Sequence, residues 1–171
     1  MSCGKILYAV HEGTWVLRLR GDVRATWCAS LDGLIDRLLA DPSLAAVLVD
    51  LREATNIDST MLGILARLAV RVREKLAAAP LVVAPNADLR RLLDSMCLDK
   101  VFTIVDEARA AGCECAELAI EDRPDAELCR QVADAHRTLM AIDARNHATF
   151  RDVVATLEDQ QRDEALRATG R

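Results

Sequence analysis

The chain has 171 residues, 22 Lys and Arg against 27 Asp and Glu, and a net charge of −5; 51 % of it is apolar. That suffices for one domain with an appendage, and mixed charge without a basic block excludes the footprint of a nucleic-acid-binding protein. No apolar run approaches the ~20 residues of a membrane span, and Met1 to Ile6 lacks a signal-peptide layout, so the expectation is a cytoplasmic protein with no membrane insertion.

Residues 5–10 read as a strand, 11–14 as a turn, and 15–20 as the second strand of a hairpin, broken at Gly21-Asp22-Val23-Arg24. A helix over 25–40 follows, with Trp27, Leu31, Leu34, Ile35, Leu38 and Leu39 at steps of three and four. Asp41-Pro42 ends it. Residues 46–51 form a nearly all-apolar strand, the pattern of a strand covered on both faces. The helix over 59–78 comes next, then a strand at 81–84, a helix at 87–96 capped by Asn86, and a last strand at 101–105. The order β-β-α-β-α-β-α-β predicts an α/β fold, a single mixed sheet with helices packed on it, over residues 1–106.

Residues 107–123 read as a linker, with a short extended piece over Cys115–Ile120, and 124–171 as a helical extension. Pro124 suits a first helical turn. Neither Gly nor Pro occurs from Asp125 to Ala168, which allows one helix of ~60 Å or two helices. Leu128, Val132, Ala135, Leu139, Ile142 and Asn146 step 4-3-4-3-4, and Phe150, Val153 and Leu157 continue the seam after one stutter. Asn146 in such a seam helps fix register. The seam must pack on the domain, fold back on itself, or meet another chain, a homodimer among the options.

Six cysteines at 3, 28, 97, 113, 115 and 129 are irregularly spaced and read as free thiols. The three histidines, His11, His136 and His147, show no zinc-type spacing. No metal and no cofactor is expected.

The chemistry gathers at Asp58-Ser59-Thr60, three oxygen-bearing residues at a helix entrance. Such side chains accept from the free N–H groups there, and the same end of the helix attracts negative charge. A hydroxyl at this place is a plain cap or a phosphate acceptor. In projection Met61, Leu62, Leu65, Leu68, Ala69, Val72 and Leu76 share one side of the helix, while Thr60, Gly63, Arg67, Arg71 and Glu74 share the other. Gly63 costs ~1 kcal/mol relative to Ala in a helix interior; it serves either a partner's close approach or tight packing inside the chain. A phosphate on Ser59 adds about −1.5 to −2 charges at an end of the helix that tolerates them, so it alters binding rather than folding.

At these residues the chain resembles the STAS domain family, the bacterial anti-sigma factor antagonists. The element order over about 5–105 carries the match, with the loop Leu19-Arg20-Gly21-Asp22 and, above all, Asp58-Ser59-Thr60-Met61-Leu62-Gly63-Ile64-Leu65. Met61 stands where the family pattern has Gly, and Arg24 where many members have Asp. The resemblance implies a partner switch with no active site of its own. The unphosphorylated form binds an anti-sigma factor, often a serine kinase using ATP and Mg²⁺; phosphorylation of Ser59, with Thr60 secondary, ends the binding. A PP2C-type phosphatase or a response regulator carrying such a domain completes the cycle. The partner-binding set it implies is Asp22, Arg24, Asp58, Ser59, Thr60, Gly63 and Arg67. STAS-like chains also serve as structural subunits of lipid-transport ATPase complexes, the alternative reading. An enzyme built on Ser59 would need a base; no His is near it in sequence and no Gly-x-Ser-x-Gly elbow is present, so no catalytic role is expected.

Overall fold

Glu12 and Gly13 both take positive φ, 48° and 77°, as a two-residue hairpin loop requires. They join β1 (Lys5–His11) to β2 (Thr14–Val23) in antiparallel register from Lys5↔Arg20 to His11↔Thr14. The computed structural model describes residues 4–109 and 114–169. Its remaining strands are β3 (Ala46–Ile57), β4 (Leu81–Val83), β5 (Thr103–Val105) and β6 (Ala116–Glu117). They complete one mixed sheet of order β5-β4-β3-β2-β1-β6, with parallel pairing from β2 through β5. Parallel neighbours need crossovers; these are α1 (Cys28–Ala40), α2 (Ser59–Leu76) and α3 (Ala87–Ser95).

β2 and β3 run past their expected ends, to Val23 and Ile57. The added residues pair with one another, from Arg20↔Glu53 to Val23↔Ile57, through register shifts at Arg18/Arg20 and Gly21/Asp22. Gly21, at φ +65°, lets the strand bend there without ending. A polar stretch that looks like a break on its own is therefore strand, because its neighbour is. The extension sets Asp22 beside Asn56, just before the entrance of α2.

One face of the sheet carries the main core. Leu17, Leu19, Val49 and Leu51 meet Leu31, Leu34, Ile35 and Leu38 of α1 and Met61, Leu62, Leu65 and Leu68 of α2. On the other face Val16, Leu48 and Val83 form a small cluster with Val105 and Ala108. Asp50 lies on that second face, 1 % exposed, paired with Arg18 Nε at 3.1 Å and Arg52 Nη2 at 2.7 Å. The coverage expected on both faces of β3 is thus helical on one side and partly ionic on the other.

Within the stretch read as a linker, the extended piece expected over 115–120 holds the strand β6, and the stretch makes further bonds. β6 pairs antiparallel with β1 (Leu7↔Glu117, Tyr8↔Ala116), Leu118 N donates to Ile6 O at 2.8 Å, and Glu121 N donates to Ser30 Oγ at 2.8 Å. These bonds lead the chain from the sheet edge over α1 to the outer side of α2. There the extension forms two helices, α4 (Asp125–Ile142) and α5 (Ala144–Thr169). The break is at Asp143, which is extended (φ −153°, ψ 146°). Its carboxylate accepts from Arg145 N at 2.8 Å and pairs with Lys100, so an Asp cap makes the turn in place of Gly or Pro. Contacts of Cys129 with the Leu157 carbonyl and Gln161, and of His136 with Phe150, show the helices antiparallel.

The seam is spent inside the chain. Ala135 and Leu139 are fully buried and Phe150 is 6 % exposed, in the same core as α2. Val153, expected on the seam, is 44 % exposed, and Val154 is buried in its place. The reversal at Asp143 rotates α5 relative to the continuous helix from which that position was read.

Candidate functional site

Asp58 ends β3 and caps α2. Its backbone is extended (φ −79°, ψ 166°), Oδ1 accepts from Met61 N at 2.9 Å, and Oδ2 accepts from Ala25 N at 2.7 Å. One carboxylate thereby caps the helix and ties its entrance to the loop after β2. Of three residues able to cap, the structure uses the first. Ser59 is the first helical residue, half-buried, and its hydroxyl is left over from capping. Thr60 is 6 % exposed.

The Ser59 hydroxyl meets α4. Its Oγ lies 3.0 Å from Nε2 of His136, and His136 Nδ1 lies 2.8 Å from the Val132 carbonyl. A carbonyl oxygen only accepts, so Nδ1 carries the proton; in the neutral ring Nε2 then accepts from the Ser59 O–H. The imidazole is 4 % exposed and backed by Phe150 of α5, ring centroids 4.9 Å apart. The sequence put these residues 77 positions apart, and nothing near either one signals the other.

One turn along, Gly63 touches α4 directly. A Cβ there would fall 2.3 Å from the Ala135 carbonyl oxygen and 2.9 Å from the Ala135 Cβ. The missing side chain serves a backbone approach from the chain's own extension. Arg67, expected to face a partner, pairs with Asp32 of α1, both about three-quarters buried. Burial pushes the Asp32 carboxyl up, against the pull of Arg67, and Gln131 Nε2 of α4 reaches Asp32 Oδ2 at 3.4 Å. Further along, the α2–α4 junction opens into a groove of about 490 Å³ lined by Arg67, Arg73, Lys100, Thr138 and Ile142.

The rim at the entrance of α2 is open. Asp22 accepts from Asn56 Nδ2 at 3.0 Å and from Arg24 Nε at 2.8 Å. The Asn56 bond chiefly, and Arg24 after it, hold the Asp22 carboxyl below the usual range against a smaller opposing effect of burial. Arg24 is 61 % exposed at its side chain and spends its charge on Asp22. Behind the entrance, burial first, with Asp58 and Asp32 adding to it, pushes the Cys28 thiol up to about 12, so it stays protonated. Cys3 and Cys113 lie outside the described residues. Among the described residues no three His, Cys, Asp or Glu side chains cluster as metal ligands would, and no helix is long and apolar enough to cross a membrane.

Residues 5–111 match the family model of the STAS domain. Among solved structures the chain is similar to the anti-sigma factor antagonist SpoIIAA in its unphosphorylated form: TM-score 0.50, 15 % identity, 61 % of this chain and 89 % of that one. It is also similar to the Bacillus cell fate determinant SpoIIAA in the phosphorylated form: TM-score 0.48, 16 % identity, 59 % and 90 %. No curated protein sequence matches. The matched region ends before α4 and α5 begin.

Proposed function

The chain belongs to the STAS domain family, and from that premise we propose that it is an anti-sigma factor antagonist working as a phosphorylation-controlled partner switch. In its unphosphorylated form it binds an anti-sigma factor, a serine kinase or a response-regulator partner at the entrance of α2. Phosphorylation of Ser59 ends that binding. The observation that carries the reading is the division of labour at this entrance. Asp58 does the capping, so the Ser59 hydroxyl can change chemically without costing the helix its cap. A phosphate on the first helical residue also sits where the dipole favours it. Thr60, 6 % exposed, is the poorer acceptor. Asp22, Arg24 and Asp58 form the polar rim that a partner reading Ser59 meets first.

Two measurements test this in the native cell. Phosphopeptide mass spectrometry should find the modification on Ser59, and the tagged chain should co-purify a regulatory partner that Ser59→Asp loses. A Ser59 that stays unmodified by a kinase active on its other substrates overturns the reading, and so does a partner held equally well by Ser59→Asp.

A further inference from the structure

We infer that the α4–α5 hairpin is a phosphate-sensitive internal cover: α4 occupies the outer face of α2 while Ser59 carries a hydroxyl, and leaves it when Ser59 carries a phosphate. The inference rests on the reading of Ser59 as a phosphoacceptor and goes beyond it to the fate of the extension.

Four contacts carry it. Ser59 Oγ is 3.0 Å from His136 Nε2, so an atom bonded to Oγ on that side would lie inside the imidazole's van der Waals envelope. Gly63 lets the Ala135 backbone approach so closely that even a Cβ has no room; the helix pair is clamped one turn above Ser59 and cannot slide apart a little. The imidazole itself cannot retreat, held by the Val132 carbonyl on one side and Phe150 on the other. Interiors this dense give way by separating, not by stretching.

Charge acts in the same direction. The phosphate would stand beside the Asp58 carboxylate, whose Oδ1 already takes the Met61 N–H. The nearest guanidinium on α2, Arg67, is engaged by Asp32. A dianion with three acceptor oxygens has the helix dipole in its favour with α4 in place or gone, but it is fully hydrated only once α4 has left.

The cover also describes the partner that could replace it. A helix taking this site must bring a small residue over Gly63 and an acceptor or a gap over Ser59, as Ala135 and His136 do. It would meet the same exclusion by phosphate. In the hydroxyl state such a partner competes with the cover, and its apparent affinity is reduced by the closed fraction.

The test uses the full chain with phosphoserine encoded directly at position 59, so that no kinase is needed and the outcome is independent of whether cells phosphorylate this residue. Hydrogen exchange is read by mass spectrometry over α4, α1 and β3. The expected result is exchange at least about tenfold faster in α4, with α1 and β3 unchanged. Gly63→Ala adds bulk at the clamp and no charge, and it raises the helix propensity of α2; it should release α4 as fully. Ser59→Ala removes only the hydrogen bond to His136 and should speed α4 exchange about two- to tenfold. Unchanged or slower α4 exchange in the phosphoserine chain overturns the inference, because the phosphate has then been accommodated under the cover. Equal acceleration in β3 also overturns it, because the phosphate then unfolds the domain instead of opening it.

Discussion

Helix α2 is covered on two sides, and the coverings are made differently. Toward the sheet it presents Met61, Leu62, Leu65, Leu68 and Ala69, none more than 1 % exposed. That contact is wide, apolar and non-directional, and each fully buried large side chain in it contributes roughly 1.5–3 kcal/mol. Toward α4 it presents a hydroxyl, a glycine and an arginine. That contact adds to the buried Ala135 and Leu139 of α4 one hydrogen bond, one backbone approach and a carboxylate shared from α1. The first kind holds a fold together. The second is where the proposed phosphate on Ser59 would act.

Three perturbations test this contrast between the two sides of α2. The largest effect is expected from Leu65→Ala on the sheet side. A cavity there should cost about 2–5 kcal/mol, read as a lower urea midpoint for the whole domain; a cost below about 1 kcal/mol would mean that the sheet side of α2 is no firmer than its outer side. Next comes Asn146→Ala at the base of the hairpin. Asn146 Nδ2 donates to the carbonyls of Met96 at 2.8 Å and Leu139 at 2.9 Å, in a residue 1 % exposed. Leaving those acceptors unmet should cost about 1–3 kcal/mol, seen as faster exchange in α4 and α5 with β3 unaffected. If β3 weakens equally, hairpin and sheet are one cooperative unit and the contrast dissolves.

The smallest effect is expected from acid. The Asp143 carboxyl is held well below the usual carboxylate range, first by the bond from Lys100 and then by the Arg145 backbone N–H. A depressed folded value means that the unfolded or undocked state binds the proton more readily. The contribution is therefore whole above about pH 4, the ordinary Asp range, and is lost as pH falls below it. Exchange near the α4–α5 turn should rise below about pH 4 before the sheet yields, and Asp143→Asn should remove that dependence. A turn that opens in acid equally with Asn at 143 would place the sensitivity elsewhere.

Much of the fold could be read from local pattern. The apolar steps of α1 and α2, the hairpin turn and the starts of the short strands at 46–51 and 81–84 are near-neighbour features, and they recur in the structure. The strand ends were not readable in the same way. Residues 52–57 and 21–23 are mostly polar, with Ala54, Ile57 and Val23 buried, and they become strand by pairing with each other. β6 is two residues long and exposed, and it exists only because the edge of β1 is there to receive it. Asn146 was read as a residue that helps fix the register of the seam; in the structure its amide ties the hairpin to the end of α3 and to α4, through the carbonyls of Met96 and Leu139.

The site divides along the same line. Sequence alone determined that a helix begins at residue 59, that Asp58, Ser59 and Thr60 stand at its entrance, and that Gly63 needs a reason, because caps, dipoles and helical spacing act within one or two turns. Tertiary structure decided which of the three caps, what lies over Gly63, and where the apolar seam of the extension goes. It also brought His136 to Ser59. Those outcomes depend on contacts between residues tens of positions apart, and on a turn at Asp143 made by a carboxylate and a lysine from another element. No periodicity along the chain records such a meeting.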